Sequence, residues 1–250
     1  MMTLAIASTL VFLFTTVLTI AGVGAAFIII PTFYWLGIPL TEAMAVALLL
    51  NAISMSFASF NYVRYKLVVF KTAVPIILLA IVFSPIGAYS TRFFSKDVLI
   101  LIFSAFLIFA GSMMLFYAPK KKRDATSSPP GMELKTGIGL GIGAGYLGGL
   151  LGVGGGNFIV PVLVWLGFDA KKASATTAFI VIFSSLSGFF GHAAIGHINW
   201  RLLLLSAIGS VAGAIAGSWL MRWKLDAAQV KKIIGVVLYG IAAKMLWGLI

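Results

Sequence analysis

The stretch LLGVGGGNFIVP, residues 150–161, decides the fold. It lies inside a long apolar segment, residues 136–168, but four of the five positions from Gly152 to Gly156 are glycine. Glycine at this density breaks a helix. A related stretch, IAGVGAAFIIIP, occupies residues 20–31 of a second long apolar segment. A helix break inside a bilayer exposes backbone groups that need polar partners. The two stretches therefore predict two helix breaks, each with polar partners, in one membrane protein.

The two stretches are 130 residues apart, and the same offset pairs identical side chains along the chain without a gap. In a composition rich in Gly and Ala, matches between Pro, Trp or Arg residues are the least expected by chance. Three such pairs are Pro31 with Pro161, Trp35 with Trp165, and Arg92 with Arg222. The chain is therefore interpreted as a tandem duplication. We predict membrane repeat 1 in residues 1–118, a basic cytoplasmic linker in 119–135, and membrane repeat 2 in 136–250.

The composition predicts an all-α integral membrane protein. Hydrophobic residues make up 61% of the chain and charged residues 10%, with a mean hydropathy of +1.11. Apolar stretches of about 20 residues, long enough to cross a bilayer as helices, recur from end to end. The net charge of +12 would fit a nucleic-acid binder, but Lys and Arg lie at the ends of apolar stretches, where lipid headgroups are found. We expect a lipid bilayer as partner and no nucleic acid.

The distribution of Lys and Arg predicts that the second repeat is inverted relative to the first, because cytoplasmic loops contain the excess of these residues. The chain has 18 Lys and Arg residues. When the loops rich in them are placed inside, four remain outside: Arg92, Lys96, Arg201 and Lys244. The alternative, eight simple spans with parallel repeats, divides the charges almost equally. Inversion requires each repeat to be a glycine-broken helical hairpin followed by three transmembrane helices.

A polar ligand is expected where the helices break. A half-helix that starts after the glycines directs unpaired amides and about half a positive charge to that point, which suits an anion. The alternatives are that the glycines serve only close helix packing and that the nearby hydroxyls bond only to their own helix. The candidate substrate-binding residues are Gly22, Gly24, Asn51, Ser54, Gly154, Gly155, Gly156, Asn157, Thr176, Thr177 and Ser184.

The sequence indicates neither an enzyme nor a cofactor or metal site. The six acidic residues fall at segment ends or in loops, whereas cation carriers place carboxylates inside the membrane. The chain has no Cys, which excludes thiolate metal sites and disulfides. His192 and His197 flank a predicted outer loop and are interpreted as interfacial residues. The pattern GAGYLG, residues 143–148, formally matches a dinucleotide-binding motif, but no strand precedes it.

The paired motif, Gly22-Val-Gly24 with Pro31 and Gly152-Val-Gly154 with Pro161, resembles the sulfite exporter TauE/SafE family. The resemblance covers nearly the whole chain. It implies a duplicated, multi-span bacterial membrane carrier linked to the export or uptake of sulfite, organosulfonates and related small sulfur anions. The first copy departs from the glycine-rich form, because two alanines follow Gly24 where two glycines follow Gly154. The two tips are therefore expected to contribute unequally.

Together, the residues and the resemblance predict a secondary transporter of the bacterial inner membrane. It would export a small sulfur-containing anion by alternating access at a midplane site. Protons are a candidate coupling ion, and the oligomeric state stays open. The alternatives are a small-anion channel and an uptake carrier for another small anion.

Overall fold

A computed structural model describes residues 2–22, 24–35, 37–116, 132–194 and 200–247. Within these ranges the chain forms helices joined by short turns and loops, without a strand, which confirms the all-α prediction. The helices are α1 (Met2–Ala21), α2 (Ala26–Trp35), α3 (Leu40–Arg64), α4 (Phe70–Ser90), α5 (Lys96–Phe116), α6 (Met132–Leu150), α7 (Gly156–Trp165), α8 (Ala170–Ala193), α9 (Trp200–Trp223) and α10 (Ala227–Trp247). A short 3₁₀ turn, Thr91–Phe93, follows α4. The predicted linker lies outside the described residues up to position 131.

Both helix breaks fall where the glycines predict them. The chain leaves the helical conformation between α1 and α2 and again between α6 and α7. Gly24, Gly154 and Gly155 have φ values of 78°, 73° and 80°, which residues with a side chain rarely adopt. The backbone N–H groups of Val153 and Gly154 both donate to the carbonyl of Gly148, at 2.8 and 3.2 Å. The chain therefore folds back onto the end of α6 before α7 begins.

Four helices of the described chain are long and apolar enough to cross a membrane: Glu42–Arg64, Phe70–Phe93, Ala170–Ala193 and Leu203–Trp223. They correspond to α3, α4, α8 and α9, which are two equivalent pairs of the repeats. Large apolar side chains lie exposed along them, for example Leu78, Phe190 and Ile208. Such surfaces suit lipid rather than water. The structure therefore fits a multi-pass membrane protein.

The two repeats exchange their first helices. α1 of repeat 1 packs against α9 of repeat 2, and α6 of repeat 2 packs against α4 of repeat 1. Glycines make both contacts close: a Cβ on Gly213 would lie 2.5 Å from the carbonyl oxygen of Phe12, and one on Gly145 would lie 2.7 Å from the Cα of Ala80. Gly143, on another face of α6, has nothing within 4 Å of such a Cβ.

Equivalent helices of the two repeats contact each other with opposite chain directions. Along the contact between α3 and α8, Asn51 meets Ser185, and Leu48 lies beside Gly188. Residue numbers fall on one helix as they rise on the other, so the pair is antiparallel. α1 instead runs parallel to its neighbour α9, because contacts to Ser8 at Gly209 are followed by contacts to Thr16 at Gly217.

One end of the helix bundle is rich in basic residues. The Arg222 guanidinium lies over the ring of Tyr65, and the Lys171 Nζ donates to the Arg222 carbonyl at 3.4 Å. These contacts bring the loop after α3, the start of α8 and the end of α9 together. We call this the basic end; it includes Arg64, Lys66, Lys71, Lys171, Lys172, Arg222 and Lys224. These belong to loops that the charge distribution assigns to one side.

Candidate substrate site

Asn51 lies at the centre of the site. It is in the middle of α3 and is fully buried. Its Oδ1 accepts a hydrogen bond from the backbone N–H of Ala25, at 3.1 Å, and its Nδ2 donates to the Ser185 hydroxyl, at 2.9 Å. A buried amide needs such partners, since leaving either of its polar atoms unpaired costs about 1–3 kcal/mol. Asn51 thus ties the first helix break to α8 of the other repeat.

The glycine tips of both repeats approach this amide. A Cβ on Gly24 would overlap the Asn51 Oδ1. A Cβ on Gly154 would overlap the Ser185 hydroxyl and lie 3.0 Å from the Asn51 Nδ2. The Ser184 hydroxyl donates to the Gly154 carbonyl at 2.6 Å and so fixes the second tip. Only glycine leaves room for these approaches, and the two breaks therefore meet at one place.

Asn157 adds a polar group that no neighbour satisfies. It is the second residue of α7 and is fully buried, yet neither its Oδ1 nor its Nδ2 has a hydrogen-bond partner. The preceding N-cap residue is Gly155, which has no side chain to accept from the first N–H groups of the helix. The Thr177 hydroxyl on α8 is likewise buried and unpartnered. The start of α7 is therefore a buried polar position whose side-chain amide has no hydrogen-bond partner within the protein.

The remaining candidate residues have other surroundings. The Ser54 hydroxyl donates to the Asn51 carbonyl of its own helix, at 3.1 Å. The Thr176 hydroxyl accepts from the Val69 N–H, at 3.0 Å, just before α4. Gly22 lies against the backbone of Ser174. Gly156 is the first residue of α7. None of these residues hydrogen-bonds to the Asn51 side-chain amide. Gly24, Asn51, Gly154, Asn157 and Ser184 lie around the two helix breaks.

Two partners of Asn51 are absent from the sequence-based candidates. The Ala25 N–H could not be identified, because a backbone donor has no side-chain signature. Ser185 adjoins the candidate Ser184, and both hydroxyls turn out to contact the site. Only the packing of α3 against α8 shows that Ser185 meets Asn51.

The ends of the first half-helices are held by equivalent contacts in the two repeats. The Tyr62 hydroxyl donates to the Thr19 carbonyl, at 3.1 Å, and the Nε2 of His192 lies 2.9 Å from the Gly149 carbonyl oxygen. Tyr62 and His192 are 130 residues apart, as are Thr19 and Gly149. The His192 side chain is only 1% exposed, so at the end of α8 it contacts the protein rather than water or lipid headgroups. His197 lies outside the described residues.

The groups described around the two helix breaks define what the site can bind. Among the residues that the structure describes, no group of three or more His, Asp or Glu is placed to hold a metal ion. The groups around the breaks are amides, hydroxyls and backbone N–H groups, which are neutral hydrogen-bonding partners. They can bind and orient a small polar ligand.

Comparison with known proteins decides the family. The family model described as sulfite exporter TauE/SafE matches residues 7–245, which include both repeats and both glycine tips. The chain belongs to the sulfite exporter TauE/SafE family. The family resemblance inferred from the paired glycine motif is thereby confirmed. As a TauE/SafE protein, the chain is a membrane transporter.

Relatives of this TauE/SafE protein come from distant organisms. The probable membrane transporter protein YunE of Bacillus subtilis is 26% identical over 93% of each chain. The probable membrane transporter protein MJ0441 of Methanocaldococcus jannaschii is 33% identical over 42% of each chain. The sulfite exporter TauE/SafE family protein 1 of Arabidopsis thaliana is 33% identical over 30% of this chain and 19% of its own. No solved structure matches the chain significantly.

Proposed function

We propose that this TauE/SafE protein is a secondary transporter for a small sulfur-containing anion, such as sulfite, an organosulfonate or a related oxyanion. The anion would bind between Asn51 and Asn157 and be exposed alternately to the two sides of the bacterial inner membrane. The observation that carries the proposal is the fully buried, unpartnered amide of Asn157 at the start of α7. A bound anion would accept hydrogen bonds from that amide and from backbone N–H groups in the first turn of α7.

The positions of the acidic residues support an anion over a cation. Glu42 and Asp97 lie in the first turns of α3 and α5, and Asp169 caps the start of α8. Asp226 lies just before α10. None of these carboxylates is near Asn51, so no fixed negative charge in this part of the chain would repel an anion there. A tetrahedral or pyramidal oxyanion offers several acceptor oxygens to the donors that both breaks provide.

An inverted arrangement of the repeats is part of the proposal. It is supported by the antiparallel contact between α3 and α8, since equivalent helices of repeats related by an axis along the membrane normal would run in the same direction. The basic end would face the cytoplasm, together with the linker 119–135. Export, with protons as the coupling ion, is the direction that we propose.

Transport measurements on the purified protein test this function. Proteoliposomes should show saturable flux of radiolabelled sulfite or of a small organosulfonate, and the flux should depend on an imposed pH gradient. Liposomes without protein, and flux of a small cation such as choline, serve as controls. Flux that does not saturate, with single-channel currents in planar bilayers, would assign a channel instead. Absence of flux for sulfite, sulfonates and thiosulfate would remove the substrate class.

Cysteine labelling tests the inverted arrangement. Arg64 and Ala194 occupy equivalent positions, 130 residues apart, and both are exposed. The chain has no native Cys, so Arg64→Cys and Ala194→Cys each introduce a single thiol. We expect a membrane-impermeant maleimide to label the two variants from opposite faces of the membrane. Labelling of both from the same face would establish parallel repeats.

A further inference from the structure

A group of buried hydroxyls lacks the usual helical partner. Ser and Thr in membrane helices ordinarily donate to the carbonyl four residues earlier. Thr16, Thr32 and Ser56 do so here, to Phe12, Ile28 and Ala52. Other hydroxyls are buried without any hydrogen-bond partner, among them those of Thr15, Thr19, Ser59, Thr72, Ser174 and Thr177. An unpaired hydroxyl in an apolar interior is costly, so these groups require an explanation.

Five of these hydroxyls, those of Thr19, Ser59, Thr72, Ser174 and Thr177, lie between Asn51 and the basic end. Thr19 is bound through its carbonyl to Tyr62, two residues from the end of α3. Thr72 is in the first turn of α4, where its N–H donates to the Val69 carbonyl. Ser59, Ser174 and Thr177 lie on the same side of the Asn51 contact, because α8 starts at the basic end and α3 finishes there.

On the other side of Asn51, the buried polar side chains of Ser84 and His192 have hydrogen-bond partners, whereas the buried Ser206 hydroxyl has none. Ala45, Leu48 and Phe189 form a buried hydrophobic cluster of their own there, separate from the main core. Gly188, next to Phe189, places α8 against Leu48 at this level.

The duplication makes the contrast between the two sides direct. At four equivalent positions, the side away from the basic end has the larger or less polar residue. The pairs are Phe189 with Ser59, Leu48 with Ala178, Ala47 with Thr177, and Met44 with Ser174. The two copies have therefore diverged at these four positions, while the pair Ser206 and Ile76 differs in the opposite sense.

We infer that the unpaired hydroxyls line a hydrated route for a small anion between the Asn51–Asn157 site and the basic end, and that Leu48 and Phe189 seal the opposite side. A hydroxyl that faces water or a passing anion has the partner that the protein itself does not provide. The basic residues at the mouth of the route raise the local concentration of anions. The identity of the passing ion rests on the proposed function, whereas the hydration of the route does not.

Thiol accessibility at equivalent positions tests the route. Thr177 and Ala47 are 130 residues apart and both are fully buried. In Thr177→Cys, the anionic reagent 2-sulfonatoethyl methanethiosulfonate should react from the face that labels Arg64→Cys. In Ala47→Cys, reaction from the opposite face should be at least about tenfold slower, because an apolar passage excludes water. Right-side-out and inside-out membrane vesicles give access to one face at a time.

Folding is controlled in the same experiment. Each variant should elute as a monodisperse peak in detergent, and its thiol should titrate fully after denaturation. If either variant of the first pair does not fold, Ser174→Cys and Met44→Cys form an equivalent second pair. Equal rates for the two members, faster reaction of the Ala47 thiol, or no reaction of the Thr177 thiol from either face would overturn the inference. Anion flux is not measured here, so a failed route and a failed transport function remain distinguishable.

Discussion

Asn51→Asp is expected to reduce anion transport by roughly 100-fold while the protein stays folded. The substitution keeps the size of the side chain but replaces the amide, which donates to Ser185, with a group that is negatively charged when ionised. A unit charge about 6 Å from a bound anion, at an effective dielectric constant of about 20, costs about 2.8 kcal/mol. This cost corresponds to a 100-fold loss of affinity.

The measurement is the concentration dependence of flux in proteoliposomes, with protein orientation and amount matched to the wild type. Asn61→Asp is the control: Asn61 is on the same helix, is partly buried, and donates to Ser218 near the basic end. Its flux should stay within about threefold of the wild type, because the added charge lies far from the proposed site. Wild-type affinity in Asn51→Asp would exclude Asn51 from the anion site.

Gly24→Ala is expected to destabilise the protein by about 2–5 kcal/mol. The left-handed backbone of Gly24, with φ of 78°, costs about 1–2 kcal/mol when a side chain is present. The added methyl group would also overlap the Asn51 amide, and overpacking of this kind costs about 1–3 kcal/mol. In a protein of this size the sum lowers the midpoint of thermal unfolding by roughly 10 °C. Tryptophan fluorescence in detergent measures it.

Gly143→Ala is the matched control, because its Cβ would meet nothing within 4 Å and a helical alanine is more favourable than glycine. Its unfolding midpoint should be unchanged or slightly higher. In the double variant Gly24→Ala/Asn51→Ala, the overlap disappears and only the backbone strain remains. The loss of stability should then be smaller than the sum of the two single losses. Additive losses would show that Gly24 and Asn51 do not contact each other.

Much of the fold could be predicted because its signals are local or periodic. Glycine content predicted both helix breaks, which the structure confirms, and the 130-residue offset predicted a duplication without reference to tertiary structure. Asn51 stood out because an amide in an apolar helix is costly without partners. Each of these features depends on how one segment meets the membrane, and the residues of that segment are enough to indicate it.

The contacts between distant segments could not be predicted in the same way. Ser54 and Ser184 are equivalent in sequence, but Ser184 donates to the Gly154 carbonyl whereas Ser54 donates to its own helix. Asn51 has Val181 at its equivalent position, so the two copies of the site no longer pair alike. The partners depend on how α3 and α8 cross, which neither helix specifies alone.

The first helix of each repeat packs on the other repeat, so the helices that pack together do not belong to one repeat of the sequence. α1 packs on α9 and α6 on α4, so a half-length chain would leave a glycine-lined groove uncovered and could be stable only as an intertwined pair, like a domain-swapped dimer. A body that moves as one unit must then contain helices of both repeats. The loop from α3 to α4, where Lys66 has a φ of 56°, joins α3 to the pair formed by α4 and α6. A boundary between moving units would therefore cross each repeat, whereas the boundary between the two copies in the sequence lies between α5 and α6.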